Sequence, residues 1–135
     1  MKANGTFTVK KWDERSDQEI SSDTKTTKAS VEYVFTGEAE GLASVEYLMF
    51  YKHFDSKNQH NSSSVFVGLL RFSGKLSGKE GSFFVEERGT FENGVVNSTF
   101  NIITGSGLGE LQQISGTGFC LTNQDGSRFE FEYNL

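Results

Sequence analysis

Proline is absent from all 135 residues. That excludes proline-rich linkers and cis-proline turns, and it suits a chain whose backbone N–H groups are committed to ladders, where proline cannot donate. Cysteine is nearly absent too. The single Cys120 excludes an internal disulfide framework and any zinc site built from several thiolates. Basic residues are in deficit: 13 Lys and Arg stand against 18 Asp and Glu, for a net charge of −5. The basic positions are scattered (Lys10-Lys11, Lys25, Lys28, Lys75, Lys79), whereas a nucleic-acid binder carries a basic patch and a high isoelectric point. No nucleic-acid partner is expected. No stretch approaches the roughly 18 apolar residues of a membrane helix, and Met1-Lys2-Ala3-Asn4-Gly5-Thr6 is not an apolar leader. A soluble cytoplasmic protein without a membrane partner is the expectation. On that basis the acceptor-like triplets at Asn61 and Asn97 are taken as chance matches.

Aromatic side chains and glycine are plentiful, with 13 Phe and 15 Gly. Each buried ring removes about 150–250 Å² from water, so a chain only 35% hydrophobic by count can still build a core. The length fits one domain over residues 1–135, able to bury roughly 70% of its unfolded surface.

The dominant period is two. Ala29, Val31, Tyr33 and Phe35 alternate with Ser30, Glu32, Val34 and Thr36, and Phe129, Phe131 and Tyr133 alternate with Arg128, Glu130 and Glu132. The run 64–72 and the run 46–54 are apolar on both faces and require a second covering layer. Helical spacing over Gly41 to Lys52 is outweighed by aromatic and β-branched content, so another subunit is the expected cover. Eight strands are predicted, over 3–13, 25–40, 43–54, 64–76, 80–91, 94–104, 116–123 and 127–134. Short links at Ser77-Gly78-Lys79, Glu92-Asn93-Gly94 and Gln124-Asp125-Gly126 read as hairpins. The polar stretches Glu14 to Asp23 and Asp55 to Ser63 read as longer loops. The fold class expected is all-β: an eight-stranded antiparallel closed β-barrel, with a flattened sandwich as the alternative. Such a barrel holds side chains or one small ligand.

Several motifs are weighed and set aside. Gly105-Ser106-Gly107-Leu108-Gly109 lacks the sixth-position glycine of a dinucleotide loop, where Glu110 stands, and lacks a Lys-Ser/Thr pair. A tight, bulged connection is the preferred reading. His53 and His60 have only Asp55 nearby as a third ligand and read as surface residues. Cys120, between Phe119 and Leu121, has no neighbouring base and reads as a small buried hydrophobe. Neither a metal nor a cofactor is expected.

A set of glycine-aromatic motifs points to a family. Ser64-Val65-Phe66-Val67-Gly68-Leu69-Leu70-Arg71-Phe72-Ser73-Gly74 leads into Gly81-Ser82-Phe83-Phe84-Val85 and Gly89-Thr90-Phe91-Glu92-Asn93-Gly94-Val95. Then come Gly105-Ser106-Gly107-Leu108-Gly109-Glu110-Leu111 and Gly116-Thr117-Gly118. With Gly5-Thr6-Phe7-Thr8-Val9 and Glu46-Tyr47-Leu48-Met49, nearly the whole chain resembles the bacterial domain of unknown function 3224. The resemblance implies an eight-stranded barrel similar to the allene oxide cyclase and calycin-like barrels. It also implies homo-oligomerisation, as a homodimer or homotrimer, and no established activity. Carrying cyclase chemistry over would be analogy at the level of fold alone.

Charged residues inside the strands supply the candidate site. Arg71 shares a face with Val65, Val67 and Leu69; Glu86 shares one with Phe84 and Arg88; Glu46 shares one with Leu48 and Phe50. If these faces point inward, the charges must pair, and Arg71 with Glu86 across the Gly74–Gly81 hairpin is the natural pair. With Tyr33 and Tyr47 they would orient the polar head of a small apolar ligand. If the faces point outward, they are rim or interface charges. Trp12 and Phe7 fall on opposite faces of a regular first strand, so either a bulge separates them or Trp12 packs outward. Three functions follow: a barrel binding a small apolar molecule, a cyclase or isomerase using Glu46 or Glu86 as acid/base, and a structural oligomer with a solid interior.

Overall fold

The computed structural model describes residues 1–135. Alternation is plainest in the third strand, where Ala43, Val45, Tyr47, Met49 and Tyr51 are buried while Leu42, Ser44, Glu46, Leu48 and Phe50 are exposed. The strands are β1 (Lys2–Glu19), β2 (Lys25–Gly37), β3 (Ala39–His53), β4 (Ser63–Leu76), β5 (Lys79–Glu92), β6 (Val95–Ile102), β7 (Leu108–Gly109), β8 (Ser115–Asn123) and β9 (Gly126–Asn134). Apart from the two-residue β7, these are the eight expected strands, seven of them with ends moved by a few residues and the first running six residues further. All pairings are antiparallel, in the order β4-β3-β2-β1-β9-β8-β6-β5, and β4 pairs with β5 to close the ring. The result is an eight-stranded antiparallel barrel.

One end of the barrel is sealed. Leu76 at the tip of β4 and Leu111 and Ile114 from the 103–114 connection are at most 1% exposed, and Ala3, Ala39 and Tyr133 surround them. The glycine-rich run folds beneath this end as a tight connection. β7 extends the edge of β5 at Gly81 and Ser82, and Ser106 Oγ accepts the Phe84 N–H at 3.0 Å. The middle layer is aromatic. Phe35 meets Phe7, Phe72 and Phe129 at centroid separations of 5.2, 6.0 and 5.3 Å. The contacts to Phe72 and Phe129 are edge-to-face, an arrangement that adds about 0.5–1.5 kcal/mol beyond burial.

The other end is open, and the first strand shapes it. β1 does not stop near residue 13 but runs to Glu19, pairing with β2 throughout. Its polar half reads as loop because it extends past β9, which pairs only with Lys2 to Thr6, so few of its side chains meet the core. A bulge between Val9 and Lys11 resolves the position of Trp12. The extra residue restores the inward phase, so Val9 opposite Tyr33 and Trp12 opposite Val31 face the same interior. The outer faces of β3 and β4 carry no second layer: Leu48, Phe50, Val65, Val67 and Leu69 are 38–49% exposed.

Candidate functional site

Between the aromatic layer and the open end lies a cavity of about 290 Å³. Phe7, Phe35, Leu70, Tyr33, Tyr47, Tyr51 and Phe66 line it. Trp12 and Phe54 stand in the lining, together with Gln59 and Ser62 of the β3–β4 connection. That connection is anchored by Asp55, whose carboxylate accepts the backbone N–H groups of Lys57 and Asn58 at 2.9 and 3.2 Å. These bonds hold the Asp55 pKa below its ordinary value.

Two carboxyl groups enter this mainly apolar space. Glu87 projects inward from β5 and is 8% exposed. It accepts the Tyr47 hydroxyl at 2.8 Å and the Ser98 hydroxyl at 2.7 Å. Tyr33 lies 3.0 Å from Tyr47, oxygen to oxygen. The Tyr47 proton is given to Glu87, so Tyr33 donates to Tyr47 and a relay Tyr33–Tyr47–Glu87 results. Burial raises the Glu87 pKa above its ordinary value, partly offset by the Ser98 and Tyr47 hydrogen bonds. Burial also raises the phenols of Tyr33 and Tyr47 far above their ordinary range. Cys120, opposite Ser98 on β8, is pushed up to about 12 by burial and by the nearby Glu87. Glu14, nearer the mouth, accepts hydrogen bonds from Thr27 Oγ1 at 2.7 Å, Tyr51 Oη at 2.8 Å and Trp12 Nε1 at 3.0 Å.

The sequence-derived residues divide. Tyr33 and Tyr47 line the cavity and touch each other. Arg71, Glu86 and Glu46 do not join them. All three stand exposed on the outer face, which corrects their assignment to the ligand site: of the two placements the sequence leaves open it is the outward one, and no inward Arg71–Glu86 pair forms. In register, Arg71 faces Phe84 while Glu86 faces Leu69, so the two charges are diagonal neighbours and form no ion pair. Phe83 and Phe84 make both phases of β5 look apolar, and the inward phase is the one containing Phe83, Val85 and Glu87. Reasoning from sequence missed both interior carboxyls. Glu87 had a legible signal, since Phe83, Val85, Gly89 and Phe91 share its parity. Glu14 had none, because the bulge shifts its phase. His53 lies by Asp23 at 3.1 Å on the surface, and His60 is exposed in the β3–β4 connection.

Fold and site together define a closed antiparallel barrel with one sealed end and one aromatic, carboxyl-bearing cavity. Residues 3–133 match the family described as protein of unknown function (DUF3224), and the chain belongs to that family. It is similar to a solved structure, a protein of unknown function from the same family in Shewanella oneidensis MR-1. The two share 22% identity with a TM-score of 0.77, over 100% of this chain and 96% of the other. At that identity the likeness is one of fold. No match was found among curated proteins.

Proposed function

We propose that the protein is a homo-oligomeric barrel that binds one small, largely apolar molecule in its interior. The cavity carries this reading. An apolar void of about 150 Å³ accommodates benzene, and this one is 290 Å³ and lined mainly by aromatic and aliphatic side chains. A barrel acting only as a structural block would fill that space. Titration with an apolar fluorescent dye tests the reading, with Trp12, the sole tryptophan, as internal reporter. Saturable binding with quenching of Trp12 is expected. A linear dye response with unchanged Trp12 emission would overturn it.

A second reading, a cyclase or isomerase acting in the cavity, is favoured by one observation. Glu87 is a buried carboxyl with a raised pKa, wired to a tyrosine, which suits general acid/base work. It differs from simple binding in a measurable way: Glu87→Gln would keep the dye affinity and abolish any conversion of bound ligand.

We assign the oligomer contact to the outer face of β3 and β4. Leu48, Val67 and Leu69 form an apolar strip flanked by Glu46 and Glu86 on one rung and by Lys28 and Arg88 on the next. Opposite charges on adjacent rungs let a second copy, turned by a two-fold rotation, match acid to base around a shared apolar centre. Sedimentation velocity tests this. Val67→Glu is expected to give monomers, and a monomeric wild type would refute it.

A further inference from the structure

We propose that the ligand of this cavity is a small organic amine, held by Glu14 and Ser64, and that the cavity discriminates against carboxylates; the proposal rests on the binding reading above. The cavity lining contains no lysine, arginine or histidine. Its only ionisable groups of carboxyl type are Glu14 and Glu87, and its remaining polar groups are hydroxyls, an amide, the Trp12 indole N–H, already given to Glu14, and the Cys120 thiol. An anionic head entering such a site would leave water and meet two carboxyl groups, with no cation in the lining to balance it. An ammonium would meet the opposite situation.

An orphan group supplies independent support. Ser64 lines the cavity with 0% exposure, and its hydroxyl has no hydrogen-bond partner in the protein. Buried hydroxyls are normally satisfied, and an unmade bond costs about 1–3 kcal/mol. Ser64 pairs with Tyr51 across β3 and β4, and Tyr51 donates to Glu14. The orphan oxygen and the carboxylate are thus linked through one lining residue, Tyr51. An amine N–H can satisfy the first while its charge is balanced by the second.

The rings around this corner also accept cations. The Lys25 ammonium sits 3.5 Å from the Phe54 ring centroid and 5.8 Å from that of Tyr51. Lys25 lies outside the cavity lining, so it uses the rim and leaves the interior free. Within, the rings of Trp12 and Tyr47 lie 6.4 Å apart between centroids, tilted by 32°, and rings of these two types are the ones that bind ammonium groups best. Glu14 accepts the Trp12 indole N–H, which holds ring and charge in fixed relation.

The test is a matched series with one ring and three heads: phenethylamine, 2-phenylethanol and phenylacetate. Binding is measured by calorimetry and by quenching of Trp12. The amine is expected to bind about tenfold tighter than the alcohol, as one charge-assisted hydrogen bond would give, and phenylacetate weakest. Glu14→Gln is expected to bring the amine down to the affinity of the alcohol and leave the alcohol unchanged. Ser64→Ala, which removes only the orphan hydroxyl, is expected to weaken the amine severalfold while preserving the fold by circular dichroism. If Glu14→Gln does not fold, the wild-type series decides alone. Phenylacetate binding as tightly as the amine overturns the inference and leaves the binding reading standing. The same holds if all three fail while the apolar dye binds. If the dye fails as well, both fall.

Discussion

Gly68→Ala is the substitution that separates strand propensity from the packing of this site. Gly68 sits in the middle of β4 with ordinary extended backbone, where alanine is conformationally acceptable. On backbone entropy alone the change should stabilise by about 0.4–1 kcal/mol. The structure argues the reverse. A Cβ at this position would lie 2.5 Å from Tyr47 Cδ1 and 2.8 Å from Cε1. Tyr47 is directly opposite on β3, with its ring laid across the space the glycine leaves. Its hydroxyl, at the far end of that ring, holds both Glu87 and Tyr33. Displacing the ring combines an overpacking cost of about 1–3 kcal/mol with a strained or lost hydrogen bond worth about 1 kcal/mol. Less the backbone gain, the net loss is about 1–3 kcal/mol. For a chain of this length each kcal/mol moves the melting temperature by roughly 3–4 °C. Scanning calorimetry should therefore show Gly68→Ala melting roughly 4–10 °C below the wild type. In a Tyr47→Ala background the same substitution meets no ring and should be neutral or slightly stabilising. A Gly68→Ala protein as stable as the wild type would refute the claim that glycine is there to seat Tyr47.

Three further outcomes are expected. Below its ordinary pKa of 4.5 the Glu87 carboxyl is neutral whether the chain is folded or not; above it, the folded state binds more protons, so stability falls as pH rises towards the higher folded pKa. Glu87→Gln removes that contribution, and urea titrations from pH 4 upward should show a flatter stability profile than the wild type; an unchanged slope would count against a buried carboxyl. Cys120, at about 12, is almost wholly thiol at neutral pH, so a thiol reagent should label it rapidly only in denaturant, and equally fast labelling of the native protein would contradict its placement. Arg71→Ala and Glu86→Ala, both on the outer face, should each leave ligand affinity unchanged and monomer stability within about 0.5 kcal/mol; a loss of dye binding on either substitution would return those residues to the site.

The fold was largely legible because alternation and turn chemistry are local signals. Gly78, Gly94 and Gly126 mark three hairpins with positive φ, and seven of the eight long strands agree with the expected ranges within a few residues. The site was less legible because it depends on phase. One residue decides between Glu86 and Glu87, and where apolar residues occupy both parities the run itself does not say which faces inward. β3 and β4 carried that ambiguity through Leu48, Phe50, Val67 and Leu69, and β5 through Phe84. Glu14 was hidden for a different reason: the bulge near Lys10 resets the alternation, and bulges leave little trace in composition. Tyr33 was found because its strand, with Ala29 and Val31 in step, has the clearer apolar parity, whereas Tyr47 stands on the ambiguous β3 and was named only as a neighbour of the charged residues.

The seam between β1 and β9 governs how this barrel must fold. Met1 and Tyr133 exchange hydrogen bonds although 132 positions separate them along the chain, and only the pairs from Lys2–Glu132 to Thr6–Arg128 join the two strands. The other neighbours form from hairpins or short connections and can zip in sequence, whereas this junction brings together the most distant segments for the fewest ladder bonds. Loop-closure entropy makes such a contact slow to form. The curved sheet therefore assembles first and closes last, along the seam that ends where β1 leaves β9. Partial opening there exposes the aromatic layer without dismantling the sheet, so hydrogen exchange in β9 should run ahead of exchange in β3 and β4, and the rate of seam opening sets an upper limit on how fast anything enclosed within the barrel can exchange through that side.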